Sequence, residues 1–172
     1  MVVLVFPPAK LPALSGRPKP RDLILSDLPR VQSLLAVLPE LYPQGDTWLE
    51  RRLDDVLAGR ARCTLVEVDN VVAGVAIETP KAFDRLKLST FLIADEYRNG
   101  GVGGSLIRFL YGRWVRDAVG QVHVTVAERH HDQVRRAFAP VGFLTVAYEA
   151  DRYGPGRNEY VMTCLPTEDS LR

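Results

Sequence analysis

The sequence predicts a mixed α/β single domain of seven strands and four helices, and three observations carry the prediction. Apolar periodicity alternates between the strand and helix periods in the order strand, two helices, three strands, helix, strand, helix, two strands. No internal repeat and no linker divides the 172 residues, a length sufficient to bury one core without staples. A glycine loop, Arg98-Asn99-Gly100-Gly101-Val102-Gly103-Gly104-Ser105, stands between an apolar strand and a strongly apolar helix.

Taken in order, Met1 to Phe6 has strand character, and Pro7, Pro8, Pro12, Pro18 and Pro20 exclude regular helix from the arm that follows. Leu23, Ile24 and Leu25 read as a first strand. Ser26 or Asp27 can cap a helix with Pro29 in its first turn and Leu28, Val31, Leu34, Leu35 and Leu38 on one face. After a break at Pro39 to Gly45, Asp46 can cap a second helix carrying Trp48, Leu49, Leu53, Val56 and Leu57, which Gly59 ends. Cys63 to Val68 and Val71 to Ile77, joined by Asp69-Asn70, read as a hairpin. Lys81 to Leu86 leads into a central strand, Lys87 to Ile93.

Beyond the glycine loop, apolar residues from Val102 to Ala118 cover much of a helix circumference, which predicts burial on a sheet with Arg108, Arg113 and Arg116 on the wet side. Gln121 to Val126 alternates as a strand. A helix from about His131 to Ala139 should stop before Pro140 and Gly142. Phe143 to Tyr153 and Asn158 to Cys164 read as strands around Gly154-Pro155-Gly156. The domain therefore spans 21–166, after a proline-rich arm over 1–20 and before a tail over 167–172.

Composition narrows the function. A net charge of +1, with 25% charged and 47% hydrophobic residues, shows no basic excess pointing to nucleic acid. No apolar run reaches the length of a membrane span, and Met1 to Phe6 lacks the basic start and length of a signal peptide, so no membrane association and a cytoplasmic location are expected. Cys63 and Cys164 stand far apart without ligand spacing, which predicts buried strand thiols and no metal site. The apolar arm before Arg21 could pack on a second copy, as in a homodimer.

Four glycines within five positions exceed the need of a simple turn. Bare backbone N–H groups at a helix N-terminus are a physical solution for holding phosphate, and the loop reads as a pyrophosphate cradle. No Gly-Lys-Ser or Gly-Lys-Thr ends it, and Gly-x-Gly-x-x-Gly is absent, so nucleotide-triphosphate and dinucleotide loops fit less well.

From about Leu23 to Cys164, the chain resembles the GNAT superfamily of N-acetyltransferases. Arg98, Gly101 and Gly103 match that family's acyl-CoA signature, and Gly142-Phe143 matches the Gly-Phe that closes its last short helix. The resemblance implies a central mixed, mostly antiparallel sheet of six to seven strands flanked by about four helices. It implies acetyl-CoA, or another acyl-CoA, as co-substrate and a small-molecule or peptide amine as acceptor. Backbone amides from Arg98 through Asn99, Gly100, Gly101, Val102, Gly103 and Gly104 to Ser105 would hold the pyrophosphate. Phe91, Leu92 and Ile93 would pair with the pantetheine arm like an added strand, and His131 would donate a hydrogen bond to it.

Acetyl transfer needs a neutral amine, a polarised thioester carbonyl and a proton for the leaving thiolate. Relatives commonly place the proton-donating Tyr where this chain has Phe138, which has no proton to give but keeps the cofactor-side position. Lys87, Ser89 and Phe91 occupy the central-strand positions where relatives place Glu or His. Glu78 is then the leading candidate for the base, with an ion pair to Lys87 as its plainer role. Lys87 is the candidate to hold a substrate carboxylate, Ser89 a further catalytic candidate, and Tyr153, among Tyr148, Tyr153 and Tyr160, the acid. The expected activity is transfer of acetyl to a primary amine by direct attack in a ternary complex. The alternative, motivated by Phe138 and the base-poor strand, is a catalytically weak or inactive acyl-CoA-binding regulatory domain.

Overall fold

The computed structural model describes residues 3–4, 16–38 and 45–167. The strands are β1 (Val3–Leu4), β2 (Lys19–Asp22), β3 (Arg62–Val68), β4 (Val71–Pro80), β5 (Arg85–Ile93), β6 (Gln121–Ala127), β7 (Leu144–Glu149) and β8 (Glu159–Cys164). The helices are α1 (Leu28–Leu35), α2 (Gly45–Leu57), α3 (Val102–Arg116) and α4 (His131–Phe138). Seven strands lie in the order β2-β3-β4-β5-β6-β8-β7, and β1 runs along β5.

Local chemistry fixes the turns. Asp69 and Asn70 both have positive φ, 50° and 65°, the pair of left-handed positions that a tight hairpin between right-twisted strands requires. That turn pairs Val68 with Val71 and sets the β3–β4 register. β4 and β5 are antiparallel, with a register shift at Ile77/Glu78 that changes the aim of the side chains beyond it.

The sheet is antiparallel except at its centre. β5 and β6, linked through α3, run parallel and pair only where Arg85, Leu86 and Lys87 meet Gln121, Val122 and His123. Past that point the β5 edge at Phe91 and Leu92 is taken in parallel by Val3 and Leu4 of β1, which also approaches β6.

Alternation along the strands sends side chains into two cores. Phe91, Val122, Val124, Val126 and Met162 pack under α3 and α4 with Leu106, Leu110, Trp114, Val134 and Phe138. Leu65, Val75, Ile77 and Leu92 pack on the other face under α1 and α2, with Val31, Leu35 and Leu53. Burying each large apolar side chain contributes about 1.5–3 kcal/mol relative to exposure. Arg21 ties β2 to both neighbours, pairing with Asp27 at 2.6 Å and Glu67 at 2.9 Å. It holds the Asp27 carboxyl down to about 2.

Three expectations need correction. Leu23 to Leu25 is not a strand: the first longer strand is Lys19–Asp22, where Pro20 is tolerated because, among the described residues, β2 pairs with β3 alone. Arg113 is not on the wet side of α3 but 5% exposed, because buried carboxylate and hydroxyl partners await it under the helix. The strand expected to reach Tyr153 stops at Glu149, and a turn with positive φ at Asp151, Gly154 and Gly156 follows. Cys63 and Cys164 are buried strand thiols, pushed up by burial to about 12 and about 11. Most of the expected break at Pro39 to Gly45, and the tail from 168 on, lie outside the described residues.

Candidate active site

The glycine loop closes on its own arginine. Arg98 Nε donates to the Ile93 carbonyl at 2.9 Å, and its guanidinium pairs with Asp95, so the side chain folds inward and ties the end of β5 to the loop. Asn99 (φ 60°) and Gly101 (φ 80°) then turn the backbone into α3. The first-turn N–H groups of α3 have no helical carbonyl to bond, and the helix dipole makes this end positive. The Ser105 amide is already spent on the Gly101 carbonyl, at 2.9 Å.

These groups open onto a groove of about 540 Å³. Gly101, Gly103 and Gly104 line one wall, Phe91 and Ile93 the floor, and Gln133, Arg136 and Ala137 of α4 the other wall. A side chain at Gly103 would begin 3.5 Å from Ile93 and 3.8 Å from Phe91, so anything larger than a methyl would fill the space above them. The residues present fit a CoA pyrophosphate and pantetheine: bare amides at a positive helix end, a cationic Arg136 opposite, and an apolar floor between.

The other residues singled out from sequence divide. Phe138 is fully buried, 4.9 Å from the Phe91 ring and 5.1 Å from Phe143, and lines no part of the groove. The Leu92 side chain belongs to the opposite core, Val102 is buried beneath α3, and Gly100 is exposed outside the groove. His131 is held away by a 2.7 Å bond to Thr145 Oγ1 and by stacking on Tyr160 at 3.9 Å. Ser89 bonds Thr79 Oγ1 at 2.8 Å, with Arg52 of α2 beyond at 3.4 Å, so the register shift has turned it away from Phe91.

Glu78 has its ion pair with Arg113, not Lys87. Its carboxylate is 1% exposed and accepts from Arg113 Nη2 and Trp114 Nε1, while Arg113 also donates to Thr64 Oγ1 at 2.8 Å and to Asp22 at 2.5 Å. Burial pushes the Glu78 carboxyl up against the pull of Arg113 and the indole. Lys87 stands instead at the junction of three strands, in register with Thr79 and His123.

The fold has counterparts. A model of the acetyltransferase (GNAT) family matches residues 28–143. The chain belongs to the GNAT acetyltransferase family. Among solved structures, a GNAT acetyltransferase from Desulfovibrio desulfuricans superposes with a TM-score of 0.75 at 16% identity, over 88% of this chain and 100% of that one. The ribosomal-protein-S18-alanine N-acetyltransferase of Escherichia coli gives 0.72 at 14% identity, over 88% and 95%. The spermidine N-acetyltransferase of Vibrio cholerae, in complex with CoA and spermine, gives 0.71 at 16% identity, over 90% and 98%. At these identities the likeness is one of fold. No curated protein matches the sequence significantly.

This GNAT domain has a second cavity, of about 240 Å³, where β6 ends and β8 begins. Tyr153 lines it, its hydroxyl accepting from Arg152 Nε at 3.2 Å. Glu159 lines it too, 2% exposed, its carboxyl pushed up by burial. Nearby on the same face of β6, burial and Lys87 pull the His123 imidazole down to about 4. Sequence reading missed Glu159, His123 and the α4 wall. The spacing of Gln133 with Arg136 and Ala137, three and four positions apart, was the available signal for the last. Among the described residues no cluster of His, Cys, Asp or Glu could hold a metal, and no helix is long and apolar enough to cross a membrane.

Proposed function

We propose that this domain transfers acetyl from acetyl-CoA to a primary amine by direct attack in a ternary complex. The observation that carries the reading is the groove whose glycine wall and α3 N-terminus face Arg136 across an apolar floor. Acetyl-CoA supplies the activated acyl group. The chain binds the pyrophosphate with the first-turn amides of α3 and guides the pantetheine over Phe91 and Ile93, using β5 backbone groups that β1 holds in this structure. Lys87 and Ser89 stand on β5 near the point where the β5–β6 pairing ends, which suits a role in orienting the acceptor. Tyr153, which lines the second cavity, is the proposed source of the thiolate's proton. Two of the three solved neighbours are named for amine acceptors, which supports the class.

Saturating acetyl-CoA at one hundred times its Kd should stabilise the domain by about 2.7 kcal/mol. For a chain of this size that raises Tm by about 5–11 °C. Gly101→Glu, which sets a carboxylate at a φ of 80° beside the cradle, should abolish the rise. No rise in the wild-type protein would overturn the CoA reading. The buried pairing of Glu78 and the phenyl ring at Phe138 favour one competing reading, a CoA-binding domain without turnover. Thiol release from acetyl-CoA in the presence of amines separates the two.

A further inference from the structure

Every buried charge in a folded chain is expected to be paired. Glu78 obeys this rule with Arg113 and Trp114, and Asp27 with Arg21. Glu159 does not. Its side chain is 2% exposed, and among the described residues Oε2 has no hydrogen-bond partner. Such a carboxylate lowers stability, so packing gives no reason for it.

Its position supplies one. On β8, Tyr160 stacks on His131 of α4 and Met162 lies in the core beneath α3 and α4. Alternation therefore turns Glu159 to the opposite face, directly across from Ala127. The chain leaves Ala127 through a short 3-10 turn at Glu128–His130 and enters α4, whose Gln133, Arg136 and Ala137 wall the cofactor groove. The small cavity and the groove thus flank one short segment, reached from opposite faces of the sheet.

We propose that the 240 Å³ cavity is the acceptor site, that it takes the end of a primary aliphatic amine, and that the Glu159 carboxylate receives the amine and accepts its proton. This rests on the acetyl-transfer reading above. An unpartnered carboxylate oxygen calls for an N–H donor. The volume is below the usual range for a whole drug-sized ligand, so it suits the end of a chain. Tyr153 and Ala127 offer faces for methylene groups.

The α-amino group, Arg152, Lys87 and Arg129 all favour the charged form of Glu159, yet among the described residues none hydrogen-bonds its Oε2. Glu149, across from it on β7, is paired with Arg152. Glu128 at the rim accepts from Asn158 Nδ2 at 2.8 Å. Arg129 and Arg157 line the rim, and Lys87 and His123 face the same side from β5 and β6. In the step itself the amine nitrogen bonds the thioester carbonyl carbon and the C–S bond breaks, its electron pair leaving on sulfur. The amine proton passes to Glu159, and the thiolate takes one from Tyr153. Both groups then exchange with water.

Glu159→Gln tests this, with acetyl-CoA as donor and primary amines from ethylamine to spermidine as acceptors. Removing a general base should lower kcat/KM by about 10²–10⁴. Acetyl-CoA affinity by calorimetry should stay within about twofold, because Glu159 is outside the groove. The melting temperature should rise, since a neutral amide replaces an unpaired buried carboxylate. Glu159→Asp, which keeps the charge, should retain more turnover than Glu159→Gln. Unchanged turnover in Glu159→Gln overturns the inference, as does a wild-type protein that binds acetyl-CoA but acetylates no amine of the panel. A variant with lower Tm and weaker acetyl-CoA binding assigns Glu159 a structural role and also overturns it. A wild-type protein that does not bind acetyl-CoA fails at the earlier step and overturns the CoA reading itself.

Discussion

Replacing Arg113 with Met keeps the methylene stem that packs under α3 and deletes the cation. Glu78, 1% exposed, is then left with the Trp114 indole as its only partner among the described residues. Breaking a buried pair in this way costs about 3–5 kcal/mol. For a chain of this length that lowers Tm by about 6–20 °C. Urea unfolding should show the loss in the midpoint with the slope unchanged. Adding Glu78→Gln removes the stranded charge, so the double variant should be more stable than Arg113→Met alone, and the cycle should give a coupling above about 1 kcal/mol. The loss should also depend on pH. In Arg113→Met the folded state raises the Glu78 carboxyl above its unfolded value, so the folded state binds more protons between the two. Stability therefore falls as pH rises through that window and part of the loss returns as pH is lowered. A cost below about 1 kcal/mol, or a double variant no better than the single one, would refute the account of this network.

Two further outcomes follow from the geometry. Arg136→Ala removes the cation from the α4 wall and should weaken acetyl-CoA binding about tenfold, the size of one charge-assisted hydrogen bond. The gap between variant and wild type should narrow in high salt because the residue is exposed; an equal affinity at low salt would remove Arg136 from the site. His123 should titrate near 4 by NMR, because burial and Lys87 disfavour its charged form. Its folded value lies below the unfolded one, so its contribution to stability is present above about 6.5 and is lost as pH falls toward 4; a midpoint near 6.5 would refute the placement.

The elements with strong local signals were legible in the sequence. The Asp69-Asn70 turn, the glycine loop and the apolar stripes of α1 and α3 each follow from local backbone or periodic chemistry. The resemblance to GNAT enzymes rested on Arg98, Gly101, Gly103 and Gly142-Phe143, and the family match includes all of them. What was not legible depends on contacts distant in sequence. Arg113 has the spacing of a wet-face arginine, and only the approach of β4 beneath α3 shows that Glu78 waits for it, 35 positions away. Ser89 stands two positions from Phe91 on β5, the spacing of one strand face, but the register shift at Ile77/Glu78 turns it away and leaves no mark in composition. Glu159 reads as an ordinary polar strand residue until the β6–β8 register places it opposite Ala127.

The two residues of β1 have a bearing on how the protein is handled. A bound pantetheine arm and β1 would compete for the same β5 backbone groups at Phe91 and Leu92. β1 is tethered to the domain, so its effective concentration at that edge is set by the chain and not by dilution. Two residues of strand pairing contribute about 1–3 kcal/mol, enough to weaken an incoming acyl-CoA by a factor between about 5 and 150. Residues fused before Met1, such as a purification tag, would act on this competitor directly. Acyl-CoA affinities measured with tags at opposite ends of the chain should therefore differ.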